Sequence, residues 1–175
     1  MKKGLIHLYI GEGKGKTTAA IGLAARAAGA GKRAVLGQFL KSRQTGEVAS
    51  LEALGVRVIR SDKEWCFTWE MDEKQLEECR AEQMRLFDIF RDIIFGEEEI
   101  DILIVDEALD VIALGHVDEQ SVREVFENKP ETLEIVCTGQ SAPGWLFDMA
   151  DYVTEMKKIK HPFDRGIEAR EAIEY

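Results

Sequence analysis

Cysteine, proline and histidine are scarce in this sequence, with three of each among 175 residues. The cysteines, Cys66, Cys79 and Cys137, are odd in number and include no C-x-x-C pair, which argues against a disulfide framework and a structural zinc site. We therefore expect reduced thiols in a cytoplasmic protein. Long apolar runs are missing as well, since none approaches the ~20 residues that cross a bilayer. This pattern predicts neither a membrane span nor a secretion signal.

Positive charge is the scarcer sign, with 23 lysine and arginine residues against 33 aspartate and glutamate residues and a net charge of −10. A protein this acidic is a poor candidate for binding nucleic acid or an anionic membrane. The deficit lies in residues 66–175, whereas residues 1–65 hold 12 basic and 5 acidic side chains. The first third of the chain is therefore able to attract a compact anion such as a polyphosphate.

Short apolar runs alternate with amphipathic segments along the chain. The runs typical of β-strands lie at 5–10, 34–40, 56–59, 102–105, 133–137 and 152–156, and helical segments lie at 17–30, 73–95 and 120–126. This alternation predicts an α/β fold, a mostly parallel sheet with helices on both faces. We expect residues 1–175 to form one domain. The polar segment 157–175 has no clear period and is predicted to be either a flexible tail or a segment ordered by ligand.

Residues 10–18, with the sequence IGEGKGKTT, carry the strongest motif of the chain. They follow a predicted strand and open a predicted helix, which is the setting that a phosphate-binding loop requires. Glycines allow backbone N–H groups to converge on phosphate oxygens, and the helix N-terminus adds partial positive charge. The candidate nucleotide-binding residues are Gly11, Glu12, Gly13, Lys14, Gly15, Lys16, Thr17 and Thr18. Lys16 is expected to reach the β- and γ-phosphates, and the Thr17 hydroxyl to bind Mg²⁺ (or Mn²⁺).

The motif is shorter than the strict pattern G-x-x-x-x-G-K-[ST], because Ile10 stands where that pattern has its first glycine. A surface turn rich in glycine and lysine is the alternative interpretation. The position of the motif between a strand and a helix favours phosphate binding.

A second motif, ILIVDE at 102–107, joins an apolar strand to two acids. This is the Walker B arrangement, in which Asp106 would hold the metal near the phosphate loop. An aspartate after a buried strand also often caps the structure that follows, so this motif alone is weak evidence for a metal site. Its occurrence together with the phosphate loop favours the Walker B interpretation. Glu107 would either activate a water molecule or act as a second carboxylate at the metal, and the residues leave these alternatives open.

Residues 65–69, WCFTW, form an aromatic cluster. Trp65, Phe67 and Trp69 share one face of an extended segment, because their spacing is two residues. The pattern fits a strand that buries this face in the core. It also fits an aromatic platform for a large flat ligand.

Taken in order, these motifs resemble those of the P-loop-type ATP:corrinoid adenosyltransferases, and the similarity runs nearly from end to end. The segments that carry it are GEGKGKTT at 11–18, QFLK at 38–41, GE at 46–47, FTW at 67–69, VDEA at 105–108, TG at 138–139, ADYVTEM at 150–156, KHPFD at 160–164, GI at 166–167 and IEY at 173–175. The shortened phosphate loop is itself typical of that family. The resemblance implies a RecA-like P-loop fold. Glycine is common in the family at the positions of Ser42, Cys66 and Ala172, and arginine at the position of Gln140.

The resemblance also implies a reaction. A Co(I) corrinoid attacks the 5′-carbon of ATP, which forms the cobalt–carbon bond of adenosylcobalamin or a related adenosylcorrinoid and releases triphosphate. Lys16, the loop amides and Mg²⁺ would neutralise the charge on the leaving triphosphate. Because the corrinoid supplies the nucleophile, the protein needs no catalytic serine, cysteine or histidine.

Further roles come from the resemblance alone. Phe67 and Trp69 would close the corrinoid face opposite ATP and exclude the lower axial ligand, so that Co(II) is easier to reduce. His161 and Phe163 are expected near the substrates, and the family implies a homodimer and an electron-donating flavoprotein such as flavodoxin. Two alternatives stay open: an ordinary P-loop ATPase or kinase, which would release ADP or phosphate, and a carrier that binds nucleotide and corrinoid without turnover.

Overall fold

A computed structural model describes residues 3–41, 45–63 and 70–174. Its strands are β1 (Ile6–Ile10), β2 (Ala34–Gln38), β3 (Arg57–Arg60), β4 (Ile102–Asp106), β5 (Glu134–Thr138) and β6 (Tyr152–Glu155). Its helices are α1 (Lys16–Gly29), α2 (Gly46–Ala53), α3 (Glu73–Phe95), α4 (Ala108–Ala113), α5 (Glu119–Asn128) and α6 (Gly144–Met149), followed by a 3₁₀ turn at Pro162–Arg165. The strands form one parallel sheet in the order β3-β2-β4-β5-β1-β6. The predicted α/β fold is confirmed.

Side chains of the central strands alternate between two apolar layers, one on each face of the sheet. Leu103 and Val105 of β4 pack in a layer that includes residues of α3, α4, α5 and α6. Ile102 and Ile104 pack in the opposite layer, with residues of α1 and α2. A strand buried on both faces reads as a continuous apolar run, which explains why β4 has no polar side chain before Asp106. The prediction of helices on both faces is therefore confirmed.

Helix α3 begins and ends as the sequence predicts. Asp72 caps its first turn by accepting a hydrogen bond from Gln75 N (2.8 Å), and the Gln75 side chain accepts one from Asp72 N (3.0 Å). Gln83 lies on the buried face of this helix, and its side-chain oxygen accepts a hydrogen bond from Leu40 N (3.0 Å). Helix α3 thus holds the chain that leaves β2.

Three short helices are not indicated by the sequence patterns. Helices α2, α4 and α6 contain 8, 6 and 6 residues, too few for an amphipathic period to repeat clearly. Helix α4 begins immediately after β4, because Glu107 adopts a left-handed conformation (φ 58°) that turns the chain. Within the described ranges, no helix combines the length and the apolar character needed to cross a membrane.

Candidate nucleotide site

Residues 11–15 form a tight loop between β1 and α1. Gly11 and Gly15 have φ values of 108° and 116°, a region that favours glycine. A β-carbon on Gly11 or on Gly13 would lie 2.5 Å from the carbonyl oxygen of Met156, and Gly13 N donates a hydrogen bond to that same oxygen at 2.7 Å. The backbone geometry therefore requires glycine, and the chain that follows β6 supports the loop.

The two lysines of the motif have different surroundings. Lys16 is the first residue of α1, and its Nζ donates to the carbonyl oxygens of Gly11 (2.6 Å) and Gly13 (3.1 Å). Lys14 Nζ donates instead to the carbonyl oxygen of Ile173 (2.9 Å). Lys16 is thus bound by the loop itself, whereas Lys14 ties the loop to the C-terminal segment.

Asp106, the last residue of β4, has a fully buried side chain (0% exposed). Its Oδ1 accepts hydrogen bonds from the hydroxyls of Thr17 (2.9 Å) and Thr138 (2.5 Å), and its Oδ2 contacts Lys41 Nζ (2.5 Å). These partners come from the first turn of α1, the end of β5 and the chain after β2. The structure therefore brings the phosphate-loop threonine and the Walker B aspartate into direct contact.

Glu107 follows Asp106, and its N–H donates to the Thr138 hydroxyl (2.9 Å). Burial of the Glu107 carboxyl group and its hydrogen bond with Asp110 raise its pKa to about 7, and Lys41, whose Nζ lies 3.4 Å from Glu107 Oε1, opposes this shift. Burial by itself lowers the pKa of Lys41, but the charges of Asp106 and Glu107 outweigh burial and leave that pKa raised. The lysine therefore stays a cation between two acids.

The variant Glu107→Gln should stabilise the nucleotide-free protein at high pH. The pKa of Glu107 rises from 4.5 to about 7 on folding, so the folded state binds more protons in this window and its stability falls as the pH increases. We expect the melting temperature of the variant to exceed that of the wild type most above pH 7, and the two to converge below pH 4.5. Thermal melts across this range measure the difference. The exposed control Glu99→Gln (side chain 88% exposed) should show no such trend, and a margin independent of pH would contradict the prediction.

Lys41 and Thr138 lie at the centre of this cluster, but the sequence patterns gave them no role. Both stand at the carboxyl ends of apolar runs, and in a parallel sheet such ends lie along one edge. Gln38 also reaches the cluster, with its Nε2 3.5 Å from Asp106 Oδ2 and 3.4 Å from Glu47 Oε1. A polar residue at or shortly after the end of a buried strand marks this edge in the sequence, but it does not show which of these side chains meet.

The phosphate loop opens onto a cleft of about 840 Å³. The motif residues that line it are Glu12, Gly13, Lys14, Gly15, Lys16, Thr17 and Thr18. Lys41, Glu107 and His161 also line the cleft. The structure therefore gathers most of the predicted nucleotide and metal residues around one space. Phe67 and Trp69 lie outside the described residues.

The C-terminal segment lies against this cleft, which residues 172–174 line together with the phosphate loop. Glu174 approaches Lys14 Nζ (3.4 Å). Ala172 has φ 63°, a left-handed conformation that costs an alanine roughly 1 kcal/mol and that a glycine adopts easily. Phe163, in contrast to His161, is 71% exposed on the surface.

The oxygen donors of Thr17, Asp106 and Glu107 are of the kind that hard cations prefer. They already surround a cation, because the Lys41 ammonium contacts all three side chains. In the part of the chain that the structure describes, no group of three His, Cys, Asp or Glu side chains is placed to hold a metal ion by itself. The donor set therefore fits a Mg²⁺ ion that keeps water and phosphate oxygens as its other ligands.

Comparison with known proteins shows the family of this chain. The model of the family ATP:corrinoid adenosyltransferase BtuR/CobO/CobP matches residues 2–175. The corrinoid adenosyltransferase of Escherichia coli is 30% identical over 177 residues, which cover 99% of this chain and 87% of that protein. Corrinoid adenosyltransferase CobA of Salmonella typhimurium is 32% identical with the same coverage, and the corrinoid adenosyltransferase of Pseudomonas aeruginosa is 29% identical over 175 residues, 99% of this chain and 85% of its own. The chain therefore belongs to the ATP:corrinoid adenosyltransferase family.

Proposed function

We propose that the protein transfers the 5′-deoxyadenosyl group of ATP to the Co(I) of a corrinoid and releases triphosphate. The observation that carries this proposal is the cleft where the phosphate loop meets the Asp106 cluster, in a chain of this family. The electron pair of Co(I) forms the new bond to C5′, and the C5′–O bond breaks with its electrons passing to the triphosphate. The protein supplies no nucleophile in this step, and its work is to bind, orient and neutralise charge.

In this proposal the phosphate loop binds the triphosphate as a leaving group. The Lys16 ammonium, which bonds the loop carbonyls of Gly11 and Gly13, transfers to phosphate oxygens when the nucleotide binds. The loop N–H groups and the N-terminus of α1 add partial positive charge. Together they stabilise the negative charge that develops as the C5′–O bond breaks.

A Mg²⁺ or Mn²⁺ ion bound with the nucleotide would add positive charge at the triphosphate. Thr17 and Asp106 would hold it, since their oxygens already meet at 2.9 Å, and Glu107 would be a further carboxylate beside them. In the nucleotide-free protein, two hydroxyls donate hydrogen bonds to the Asp106 side chain and the Lys41 ammonium lies against it.

An anaerobic assay tests the proposed reaction. ATP, Mg²⁺ and chemically reduced cob(I)alamin are mixed with the protein, the corrinoid spectrum is followed and the phosphate product is identified. We expect light-sensitive adenosylcobalamin to appear with one equivalent of triphosphate. ADP or phosphate without a new cobalt–carbon bond would instead indicate an ATPase or kinase, and tight binding of adenosylcorrinoid without turnover would indicate a carrier.

The double variant Phe67→Ala/Trp69→Ala should slow the reaction that starts from Co(II) and leave ATP binding intact. By the resemblance, these aromatic side chains cover the corrinoid face opposite ATP and exclude the lower axial ligand. A four-coordinate Co(II) is reduced more readily, because no axial donor raises the energy of the orbital that accepts the electron. Turnover from a Co(II) corrinoid with a reductase should fall, whereas turnover from prepared Co(I) should fall much less.

The control for this double variant is Phe95→Ala, which removes a half-exposed aromatic side chain at the end of α3. It should leave both rates near the wild-type values. Unchanged turnover from Co(II) in the double variant would assign Phe67 and Trp69 to the protein core.

We also propose a cytoplasmic homodimer that receives electrons from a flavoprotein such as flavodoxin, as the family implies. All four residues of the edge strand β6 are exposed, which supports a further contact at that edge. The sheet that the described residues share supports a single domain.

Because His161 and residues 172–174 line the cleft, we propose that bound nucleotide orders segment 157–175. Sedimentation equilibrium measures the dimer, and protease protection by ATP measures the ordering.

A further inference from the structure

Lys41 occupies an unusual position for a basic side chain. Its Nζ lies 2.5 Å from Asp106 Oδ2, 2.9 Å from Thr17 Oγ1 and 3.4 Å from Glu107 Oε1. Thr17 and Asp106 are the hydroxyl and the carboxylate that hold the metal ion in ordinary P-loop enzymes. An ammonium group therefore sits where the proposed function calls for a divalent cation.

The fold directs Lys41 into this position. Strand β2 pairs with β4 so that Gln38 stands opposite Asp106, and Phe39 N continues the ladder by donating to Asp106 O (3.0 Å). Leu40 then takes a left-handed conformation (φ 54°), which is held by the hydrogen bond from Leu40 N to the buried Gln83 side chain (3.0 Å). A left-handed leucine is costly unless its surroundings fix it, so the turn toward the cluster is built into the structure.

The contacts of Lys41 leave no room for a bare metal ion on the same oxygens. The Thr17 hydroxyl donates its hydrogen to Asp106 Oδ1 and accepts from Lys41, so both its proton and a lone pair are engaged. Mg²⁺ requires ligand oxygens at about 2.0–2.1 Å in a near-octahedral arrangement. A positive charge already within 3 Å of these oxygens opposes the entry of a second one.

We propose that Lys41 is a tethered cation that excludes free divalent metal from the Thr17–Asp106 position until a nucleotide arrives. The Lys41 ammonium then moves to the triphosphate, which leaves the oxygens of Thr17 and Asp106 free; they would hold the metal that accompanies the nucleotide. The side chain is able to make this move, because it is 29% exposed and lines the same cleft as the phosphate loop. The inference rests on the proposed metal and triphosphate site, and it makes Lys41 a positioning residue for both.

The test is a Mn²⁺ titration of the full chain without nucleotide or corrinoid, followed by the electron paramagnetic resonance signal of free Mn²⁺. Lys41→Met removes the charge and keeps an unbranched side chain that is one heavy atom shorter. We expect this variant to bind Mn²⁺ at least about tenfold more tightly than the wild type, because a unit charge at contact distance in a partly buried site is worth more than this factor. The matched control Lys74→Met, at an 85%-exposed side chain on α3, should bind like the wild type.

Three further variants separate charge from structure. Lys41→Gln, also neutral but able to donate a hydrogen bond to Asp106, should bind Mn²⁺ more tightly as well, and Lys41→Arg should stay close to the wild type. Lys41→Met/Asp106→Asn should lose the added affinity, because the released site has lost its carboxylate. Mn²⁺ should also raise the melting temperature of Lys41→Met more than that of the wild type. This comparison remains informative if the variant is less stable, because each protein is measured with and without Mn²⁺.

Equal or weaker Mn²⁺ binding by both neutral variants would overturn the inference. Added affinity that survives in the double variant would also overturn it, since the metal would then lie elsewhere. The outcome is independent of the adenosylation assay, because the titration contains neither ATP nor corrinoid. Failure of that assay with tighter Mn²⁺ binding in Lys41→Met would reject the proposed reaction and support this role of Lys41.

Discussion

Replacing Lys16 by alanine is expected to lower the adenosylation rate at least ~10²-fold, the usual effect of removing one preorganised electrostatic donor. The leaving group in the proposed reaction is a whole triphosphate, so its charge must be neutralised as the C5′–O bond breaks. Lys16 Nζ is held at the loop, 2.6 Å from Gly11 O and 3.1 Å from Gly13 O, and Lys16 lines the cleft that would hold the triphosphate. The anaerobic assay with prepared cob(I)alamin and saturating ATP measures the effect on the chemical step.

The loss in Lys16→Ala should be one of catalysis and not of folding. Among the described residues of the nucleotide-free protein, Lys16 Nζ donates hydrogen bonds to the backbone carbonyls of Gly11 and Gly13 in its own loop. The melting temperature should therefore stay near that of the wild type. Lys74→Ala, which removes an exposed lysine from α3, should keep the full rate. A rate for Lys16→Ala close to the wild-type value would remove the phosphate loop from the mechanism.

Replacing Asp106 by asparagine should have an effect of similar size, again at least ~10²-fold on the rate. The buried carboxylate accepts hydrogen bonds from two hydroxyls and contacts the Lys41 ammonium, so all of its partners present hydrogen atoms to it. Asparagine has the same shape, but its NH₂ group is itself a hydrogen-bond donor. It would therefore face either the two hydroxyls or the ammonium, where aspartate presents an acceptor oxygen. The negative charge that would hold the metal ion is also lost. The assay over a range of Mg²⁺ concentrations should show a low rate that added Mg²⁺ restores only in part.

Asp106→Asn should also lower the stability of the protein, because Lys41 loses its main partner. A thermal melt and a measurement of ATP binding show whether the variant is folded before its rate is interpreted. Asp148→Asn, at an exposed residue of α6, is the matched control and should change neither property. A folded Asp106→Asn variant with a near-normal rate would show that the Walker B carboxylate is not part of this site.

The strands, the long helices and the phosphate loop were predictable because each depends on a local pattern. Strand β4 is an apolar run before Asp106, and α3 is an amphipathic helix that ends before Gly96. The loop glycines are explained locally too, although the structure adds a reason from far along the chain, the carbonyl oxygen of Met156 beside Gly11 and Gly13. In patterns of this kind, the spacing of apolar residues distinguishes a helix from a strand, and the flanking residues indicate where the element begins and ends.

The role of Lys41 was not predictable, because it depends on three features that a single segment does not reveal. These are the register that sets Gln38 opposite Asp106, the left-handed backbone at Leu40 and the buried Gln83 that holds it. Thr138 was missed for the same reason, since its contact with Asp106 follows from the pairing of β4 with β5. The Phe67 and Trp69 predictions rest on the family resemblance, as these residues lie outside the described ranges.

The strand order has a consequence for how a newly made chain acquires its site. Strands β2, β3 and β4 neighbour one another and are complete once residue 106 has been synthesised, whereas β1 lies between β5 and β6, which begin at residues 134 and 152. On the ribosome, the first strand waits for partners that are translated near the end of the chain. The phosphate loop and Asp106 come together when β5 pairs with both β4 and β1. A chain released before that point carries the whole loop sequence and lacks the neighbours that shape it.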